Sequence, residues 1–411
     1  KSLQPSVGRP RFFSASSKER LIEAPWQRAH AMLDACKVPL PGLGLWTDRL
    51  KTLVFGSGDA LRRAEQRMLE GIKTKVHVSD VAIPKGSIHT VSTVSTSVDG
   101  RAGAGLAPVV LIHGYFMGSA SWSHSFDALS SKRHVYAIDW PSWGLSCRNQ
   151  NFPSGQGTEI CEQFFVEGIE SWRRAVGLEK MVLLGHSFGG YFAACYTMKY
   201  PQHVDSLILA SPVGMLERNP GEGISEERIQ SLTWWQRWLF FRVKRMWETG
   251  WTPMDFVRGL GPFGSWLTEW YMDRRFRLAR ANGTMELDAG ATAEYLHRLA
   301  QRPRGSEQCL GDLLQFGAWP KSPVAPRLAQ TLNALERAPP VTLLYGDADW
   351  MDARAGAWLA HQLGRRTEVM MVENAGHQLF MDNPRAFNAA VGRALGAGAA
   401  NVPGLYQQLL R

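Results

Sequence analysis

The segment that most constrains this chain is Gly185-His186-Ser187-Phe188-Gly189. It follows the apolar run Met181-Val182-Leu183-Leu184 and precedes the helix-compatible stretch from Gly190 to Tyr200, so the order is strand, sharp turn, helix. Such a turn lifts a serine hydroxyl off the end of a sheet, where a base can reach it, and without a base a hydroxyl is a weak nucleophile. The flanking glycines are needed because a side chain at Gly185 or Gly189 would run into the neighbouring strand and helix. Ser187 is the candidate nucleophile.

A nucleophile presented in this way needs an acid and then a histidine further along the chain, each at the end of a strand. Pro340 to Tyr345 reads as a buried strand that runs into Gly346-Asp347-Ala348-Asp349-Trp350-Met351-Asp352. Asp349 is the candidate acid. Of its rivals, Asp347 suits a turn and Asp352 suits the N-cap of the helix that holds Trp358. Glu368 to Val372 is the last strand, and Glu373-Asn374-Ala375-Gly376-His377 places His377 on the loop beyond it, as the base. The expected oxyanion donors are the backbone amides of Phe188 and Tyr115, with Phe116 the alternative to Tyr115. The second donor follows the apolar run Pro108 to Ile112, in His113-Gly114-Tyr115-Phe116. Gly114 lets the main chain approach a substrate, and His113 reads as an imidazole that supports the site by pinning this loop.

Around these motifs, short apolar runs at His134 to Asp139 and Ser206 to Ala210 alternate with helical stretches, and Ile88 to Val94 alternates as an antiparallel strand does. The fold class is α/β, a mostly parallel sheet with helices on both faces. The rhythm stops between about Gly214 and Pro339, a stretch too long for a loop, which implies an inserted helical cap at the substrate edge. The expected organisation is 1–18, a presequence or basic tail; 19–75, an amphipathic pre-domain segment; 76–213, the first part of the core; 214–339, the cap or lid; and 340–411, the second part of the core.

Sixteen tryptophans are many for this length. Half lie in the proposed cap, and Ser231 to Trp247 combines Trp234, Trp235 and Trp238 at helical spacing with Arg237, Arg242, Lys244 and Arg245 and no acid. That pattern fits a cap helix packed on the core, or a basic amphipathic helix lying in a lipid interface, and one helix can do both. The net charge of +9 suits anionic partners. No zinc-finger spacing, RNA-binding sheet motif or phosphate-cradling glycine loop is present, so anionic lipid is favoured over nucleic acid. With no apolar run of about 18 residues, membrane contact would be peripheral. Cys36, Cys147, Cys161, Cys195 and Cys309 are scattered without metal spacing, which points to a reducing compartment, no metal and no cofactor.

Lys1 to Lys18 carries Lys1, Arg9, Arg11 and Lys18, several serines and no acid, as mitochondrial and plastid transit peptides do, and Arg11-Phe12-Phe13-Ser14 resembles the cleavage context of mitochondrial presequences. A mitochondrial location follows, with the cytoplasm or a lipid-droplet surface the alternative if the segment is only a basic tail. Ala24 to Trp46 and Ala60 to Met68 are amphipathic and either touch a membrane or pack on the sheet.

His377-Gln378-Leu379-Phe380-Met381-Asp382-Asn383-Pro384 contains the pattern H-x-x-x-x-D. Together with Gly185 to Tyr191, Asp349 to Asp352 and Ala64-Glu65-Gln66-Arg67-Met68, it makes the chain from about Trp46 to Asn388 resemble one branch of the α/β hydrolases, the cap matching least. That branch holds the lipid-droplet lipase coactivator, the N-acyl phosphatidylethanolamine lipase, plant relatives and the fungal mitochondrial cardiolipin deacylase. The resemblance implies an α/β-hydrolase fold and a phospholipid or lysophospholipid substrate, with acyl transfer to lysophosphatidic acid tied to the H-x-x-x-x-D signature in some members. Coactivator-type members have lost the elbow serine, whereas Ser187 is present, which favours a lipase over a non-catalytic regulator. Trp140-Pro141-Ser142-Trp143-Gly144-Leu145-Ser146 departs from the glycine-rich, arginine-containing loop usual in the branch. Asp382 is read as a helix cap or loop brace supporting His377, with a direct catalytic part the alternative. Cardiolipin is the expected substrate if the N-terminus is a presequence.

Overall fold

Val109–Ile112 and Met181–Leu184, beside and before the elbow, are short aliphatic runs with nothing polar to expose, the composition of strands covered on both faces. In the computed structural model, which describes residues 58–94, 105–148, 152–217, 226–261, 264–284, 286 and 288–396, eight strands make one sheet. They are β1 Val76–Ile83, β2 Gly86–Thr93, β3 Val109–Ile112, β4 Val135–Ile138, β5 Met181–His186, β6 Val204–Ala210, β7 Val341–Gly346 and β8 Thr367–Val372. Their order is β1-β2-β4-β3-β5-β6-β7-β8. The pairings β1–β2 and β2–β4 are antiparallel and the others parallel. β3, β5 and β7 are buried along their whole length. β1 has no counterpart among the strands expected from sequence, because it lies at the edge, alternates between exposed and half-buried positions and carries no apolar run. The presequence candidate 1–18, residues 19–57 of the pre-domain segment and residues 397–411 lie outside the described residues.

The topology explains where the chemistry sits. β3 lies between its two successors, since the chain passes from β3 to β4 on one side and returns to β5 on the other. The loops leaving β3 and β5 therefore diverge and open a crevice at the carboxyl ends of the strands. The Gly114 loop and Ser187 both stand at that crevice.

The helix Phe188–Lys199 behind the elbow is buried on nearly every side, with Thr158–Ala175 and Val324–Asn333 packed against it. Val324–Asn333 buries Val324, Ala325, Leu328, Ala329 and Leu332, a helical stripe that also meets Ala353–Leu363. It is the crossover helix between β6 and β7, so the inserted cap ends before it rather than at Pro339. The cap proper includes Trp234–Glu248, Pro253–Gly259, Gly264–Arg275 and Ala289–Gln301. Among the described residues no helix is long and apolar enough to cross a membrane.

The helix Gly58–Leu69 buries Leu61, Ala64, Glu65 and Met68 and packs against Ala289–Gln301 of the cap, where Arg67 pairs with Glu294. Its apolar face thus covers protein, not a bilayer. Glu65 reaches His89 of β2, with Nε2 2.9 Å from Oε2, while His89 Nδ1 lies 2.7 Å from Asp80 Oδ1. Burial alone would depress the His89 imidazolium, but hydrogen bonds to Asp80 and Glu65 outweigh it and hold the pKa up at about 10. His89 is therefore a charged group that ties this helix and β1 to β2.

A pKa raised above its unfolded value contributes stability that is complete below that unfolded value and is lost as pH rises through about 10. His89→Gln removes the positive partner of the buried Glu65 side chain, which keeps the Ser119 hydroxyl at 3.2 Å, and is expected to cost about 3 kcal/mol near neutral pH. Thermal melts should show this gap between the two proteins shrinking as the pH passes about 10; a pH-independent gap would exclude the charged imidazole.

Candidate active site

The elbow forces Ser187 into a left-handed backbone, φ 53° and ψ −116°, a conformation that a tight strand-to-helix turn imposes and its surroundings must hold. A Cβ at Gly185 would lie 2.2 Å from the Gly189 carbonyl oxygen, and one at Gly189 the same 2.2 Å from that of Ile112. Both positions admit only glycine because backbone, which cannot swing away, fills the space.

The structure brings Ser187, His377 and Asp349 together. His377 Nε2 is 3.0 Å from Ser187 Oγ, and His377 Nδ1 is 3.1 Å from Asp349 Oδ1. Ser187 and His377 are nearly buried, and the Asp349 side chain is fully so. Burial would raise the Asp349 pKa, but hydrogen bonding to His377, its charge, the Met351 amide at 3.0 Å and the Ser211 hydroxyl together hold it below the usual carboxylate value. Asp349 is thus ionised and acceptor-only, so Nδ1–H of His377 points to it and Nε2 is left bare toward the serine. Ser211, the first residue after β6 and itself left-handed at φ 45°, is a supporting group that no motif announces.

The other aspartates of the acid loop act elsewhere. Asp352 caps the helix Ala353–Leu363 through the Arg354 amide. Asp347 accepts the amides of Asn374 and Ala375 at 2.8 and 3.0 Å, so it ties the acid loop to the histidine loop.

Asp382 does not cap the following helix, because Asn383 does so through the Ala386 amide. The Asp382 carboxylate instead accepts the Gly376 amide at 2.8 Å and Arg275 Nη2 at 3.1 Å. Burial raises its pKa against the opposing charge of Arg275. It touches the residue before His377 and not the reacting atoms, so H-x-x-x-x-D here is a brace whose far end is a cap arginine.

His186, inside the elbow motif, was not singled out by any spacing argument. Its Nε2–H donates to the His377 carbonyl at 2.8 Å, and burial drives its pKa well down, which keeps it neutral. Its Nδ1 faces Gly114, where a Cβ would approach to 2.6 Å. Gly114 is thus required by His186.

On the oxyanion side, the imidazole of His113 is fully buried, accepts the Trp140 amide at 3.2 Å and bonds the Gly114 carbonyl at 2.8 Å. Burial lowers its pKa to about 4, so it is a neutral pin. Trp140 stacks on it at 4.8 Å between ring centres, and Trp143 Nε1 donates to the Met117 carbonyl at 2.6 Å. The Trp140–Ser146 loop thus holds the donor loop through tryptophans. Tyr115 and Phe188 are neighbours, 5.7 Å between ring centres, and Phe188 opens the elbow helix, where an amide has no intrahelical acceptor. Phe116 is left-handed at φ 63° and its ring meets Tyr271 of the cap.

Trp234, Trp235, Trp238, Arg237, Arg242, Lys244 and Arg245 all lie on one helix, Trp234–Glu248, in which no residue is buried. Phe240 and Trp247 turn inward onto Phe316. The three tryptophans face outward, Trp234 81% exposed, with Arg242 over the Trp238 ring and Lys244 3.9 Å from Glu248. Packing this helix on the core is therefore limited to its inner edge. Among the described residues no group of three or more His, Cys, Asp or Glu could hold a metal ion.

A strand-elbow-helix serine, an acid after β7 and a histidine after β8 are joined in one hydrogen-bonded row, and the sequence pattern of the Alpha/beta hydrolase family matches residues 109–390. The chain belongs to this family. It is 33% identical over 360 residues to a 1-acylglycerol-3-phosphate O-acyltransferase of Arabidopsis thaliana, covering 84% of this chain and 82% of that one. It is 29% identical to the (lyso)-N-acylphosphatidylethanolamine lipase of Bos taurus, over 80% and 90% of the two chains. Among solved structures, a carboxylesterase from Bacillus subtilis superposes with a TM-score of 0.52 at 18% identity, covering 83% of this chain and 99% of that one. A bacterial membrane phospholipase A superposes with a TM-score of 0.50 at 19% identity, over 92% and 99%. These last two show a shared fold.

A fluorophosphonate probe should label Ser187, and Ser187→Ala should abolish labelling. Ser187→Ala or His377→Ala should lower turnover by roughly 10⁴-fold or more, and Asp349→Asn should be more damaging than Asp352→Asn. Asp382→Ala should lower kcat by about 10–100-fold through a displaced His377, while Asp382→Asn, which keeps an acceptor for the Gly376 amide, should lose less.

Proposed function

We propose that this protein is a serine hydrolase that deacylates anionic glycerophospholipids at a membrane surface, cardiolipin being the favoured substrate. The observation that carries the proposal is the row Ser187, His377, Asp349 beneath a cap whose outer helix displays tryptophans and arginines together. Ser187 Oγ attacks the ester carbonyl as His377 takes its proton, and the amides of Phe188 and Tyr115 receive the oxyanion. Collapse of the tetrahedral adduct breaks the ester bond, the lysolipid oxygen takes the proton from His377, and the acyl group stays on Ser187. Water activated by His377 then releases the fatty acid.

The relative named an acyltransferase favours a second reading, in which the hydroxyl of 1-acylglycerol-3-phosphate attacks the same acyl-serine in place of water. The two differ only in the attacking oxygen, and how well the closed cap excludes water sets the balance. A role solely as a lipase regulator is disfavoured, since a scaffold has no need of three aligned catalytic side chains. An N-acyl phospholipid is the substrate to expect instead if the protein resides on lipid droplets or in the cytoplasm. For the basic, acid-free segment 1–18 we propose import into mitochondria, where cardiolipin is met.

Mass spectrometry of lipid extracts incubated with wild type and with Ser187→Ala should show serine-dependent release of fatty acid from cardiolipin. New diacyl product from added lysophosphatidic acid would move the assignment to acyl transfer, and no lipid change would refute both. Each Lys or Arg near an anionic surface contributes about 1 kcal/mol, so replacing Arg237, Arg242, Lys244 and Arg245 by glutamine should cost up to about 4 kcal/mol of binding to cardiolipin vesicles in sedimentation assays. Equal binding to neutral and anionic vesicles would remove the membrane role of this helix.

A further inference from the structure

Arg148 and Arg302 come together where the cap rejoins the core, and no step above has used either. Arg148 ends the stretch that begins with the Trp140–Ser146 loop. Its Nη1 donates to the carbonyls of Ser142 and Pro303, at 3.4 and 2.5 Å, and its guanidinium lies 5.9 Å from the centre of the Trp143 ring. Arg302, the residue before Pro303, reaches Gly58 of the helix Gly58–Leu69, where its Nη1 stands 3.4 Å from the place a Cβ would take. The Ser306 amide donates to the Ser142 carbonyl at 3.1 Å, so the segment that carries Arg302 is fixed to the loop that leads to Arg148.

What singles these two out is hydrogen-bonding capacity left unspent. A guanidinium is all donors and no acceptor. Arg148 Nε, Arg148 Nη2 and Arg302 Nε are buried without an acceptor, and neither arginine forms an ion pair among the described residues. The charges around them are already engaged. Glu307 takes Arg258 and the Gly305 amide, Asp255 takes Arg258 and Arg304, Asp139 takes the amides of Ser119 and Leu145, and Arg62 is paired with Asp80. Asp59 faces Arg302 but makes no ion pair with it. Burial, and then the like charges of Arg302 and Arg258, push the Arg148 pKa down to about 10 against the pull of Glu307, so Arg148 is still a cation at neutral pH.

A buried charged donor left without an acceptor is costly. A carboxylate offers oxygens along one edge only, whereas unspent nitrogens on two guanidiniums call for the tetrahedral spread of oxygens and the charge that a phosphate brings. We propose that Arg148 and Arg302 form a phosphate-binding site at the seam of cap and core, filled by a phospholipid headgroup or by a soluble phosphomonoester. The headgroup source rests on the phospholipid reading above. Occupancy bears on the catalytic crevice through Trp143, which lies beneath Arg148 and holds the donor loop by the Met117 carbonyl at 2.6 Å.

Titration calorimetry of the whole protein with glycerol 3-phosphate at physiological salt tests the site. Wild type is compared with Arg148→Met and Arg302→Met, which keep an apolar stem and remove the donors, after thermal melts have shown each to be folded. Arg302 is only half-buried, so Arg302→Met and Arg302→Lys carry the test if Arg148→Met does not fold. Wild type is expected to bind saturably. Either methionine variant should bind about 10-fold or more weakly, and Arg302→Lys, which keeps the charge but not the planar fork, should lose less. No saturable binding by wild type, or equal binding by wild type and Arg302→Met, would overturn the site. Initial rates on cardiolipin vesicles then name the source. If a headgroup fills the site, glycerol 3-phosphate raises the apparent KM of wild type, and the methionine variants raise KM while kcat changes little. If a soluble phosphomonoester fills it, the calorimetric result stands while KM for vesicles is the same in all the proteins. Failure of the enzymatic reading looks different again: wild type would bind glycerol 3-phosphate and cleave no phospholipid, which upholds the site and rejects the headgroup source.

Discussion

The candidate base of this protein, His377, stands on irregular chain, and what keeps it in place is a set of side chains that satisfy the backbone of its own loop. Asp347 accepts the amides of Asn374 and Ala375, Asp382 accepts that of Gly376, and His186 donates to the carbonyl of His377. Asn374 is left-handed at φ 52°, so the loop is not one that its local sequence would choose unaided. Hydrogen bonds to charged groups contribute about 1.5–3 kcal/mol each, which favours this arrangement over one that leaves the loop amides unpaired. The triad geometry is then inherited: with the main chain held at four successive residues, Asn374 to His377, the imidazole is placed to span Asp349 and Ser187.

That dependence extends into the cap. Arg275 shares the Asp382 carboxylate that fixes Gly376, Tyr271 meets Phe116 of the donor loop, and Tyr295 fills the space a Cβ at Gly118 would need. Cap position is therefore mechanically linked to both halves of the site, the loop of the candidate base and that of the candidate oxyanion donors. The Trp234–Glu248 helix is different in kind, since its ring contacts inward are with Phe316 and its outer face is left to solvent. A lipid surface drawing on that helix would act on the part of the cap least committed to the core.

The elements most legible in the sequence are those whose reason is local. The elbow is dictated by glycines that backbone atoms crowd at 2.2 Å, and β3, β5 and β7 by uninterrupted apolar runs that only a doubly covered strand explains. Asp352 as an N-cap follows from the start of the next helix. The edge strand β1 was illegible because a half-exposed strand needs no apolar run, and the end of the cap was misplaced because an amphipathic helix looks the same whether its stripe faces a cap or the elbow helix. The partner of Asp382 is set by a residue 107 positions earlier, and no spacing within the H-x-x-x-x-D motif encodes that.

By itself the sequence pointed to Ser187, to Asp349 and then His377 as the groups that meet it, to the parallel core and to the aromatic, basic character of one cap helix, because each is a matter of residue type and short-range pattern. Only the tertiary structure decided that Ser211 and His186 support the triad, that Asp347 and Asp382 hold the loop of the base, and that Asp80 and Glu65 charge a buried histidine. Each of these joins groups from separate strands or from cap and core. Their energies depend on burial and on distances of about 3 Å that the hydrogen-bonding atoms must meet, and such distances exist only once the chain has folded.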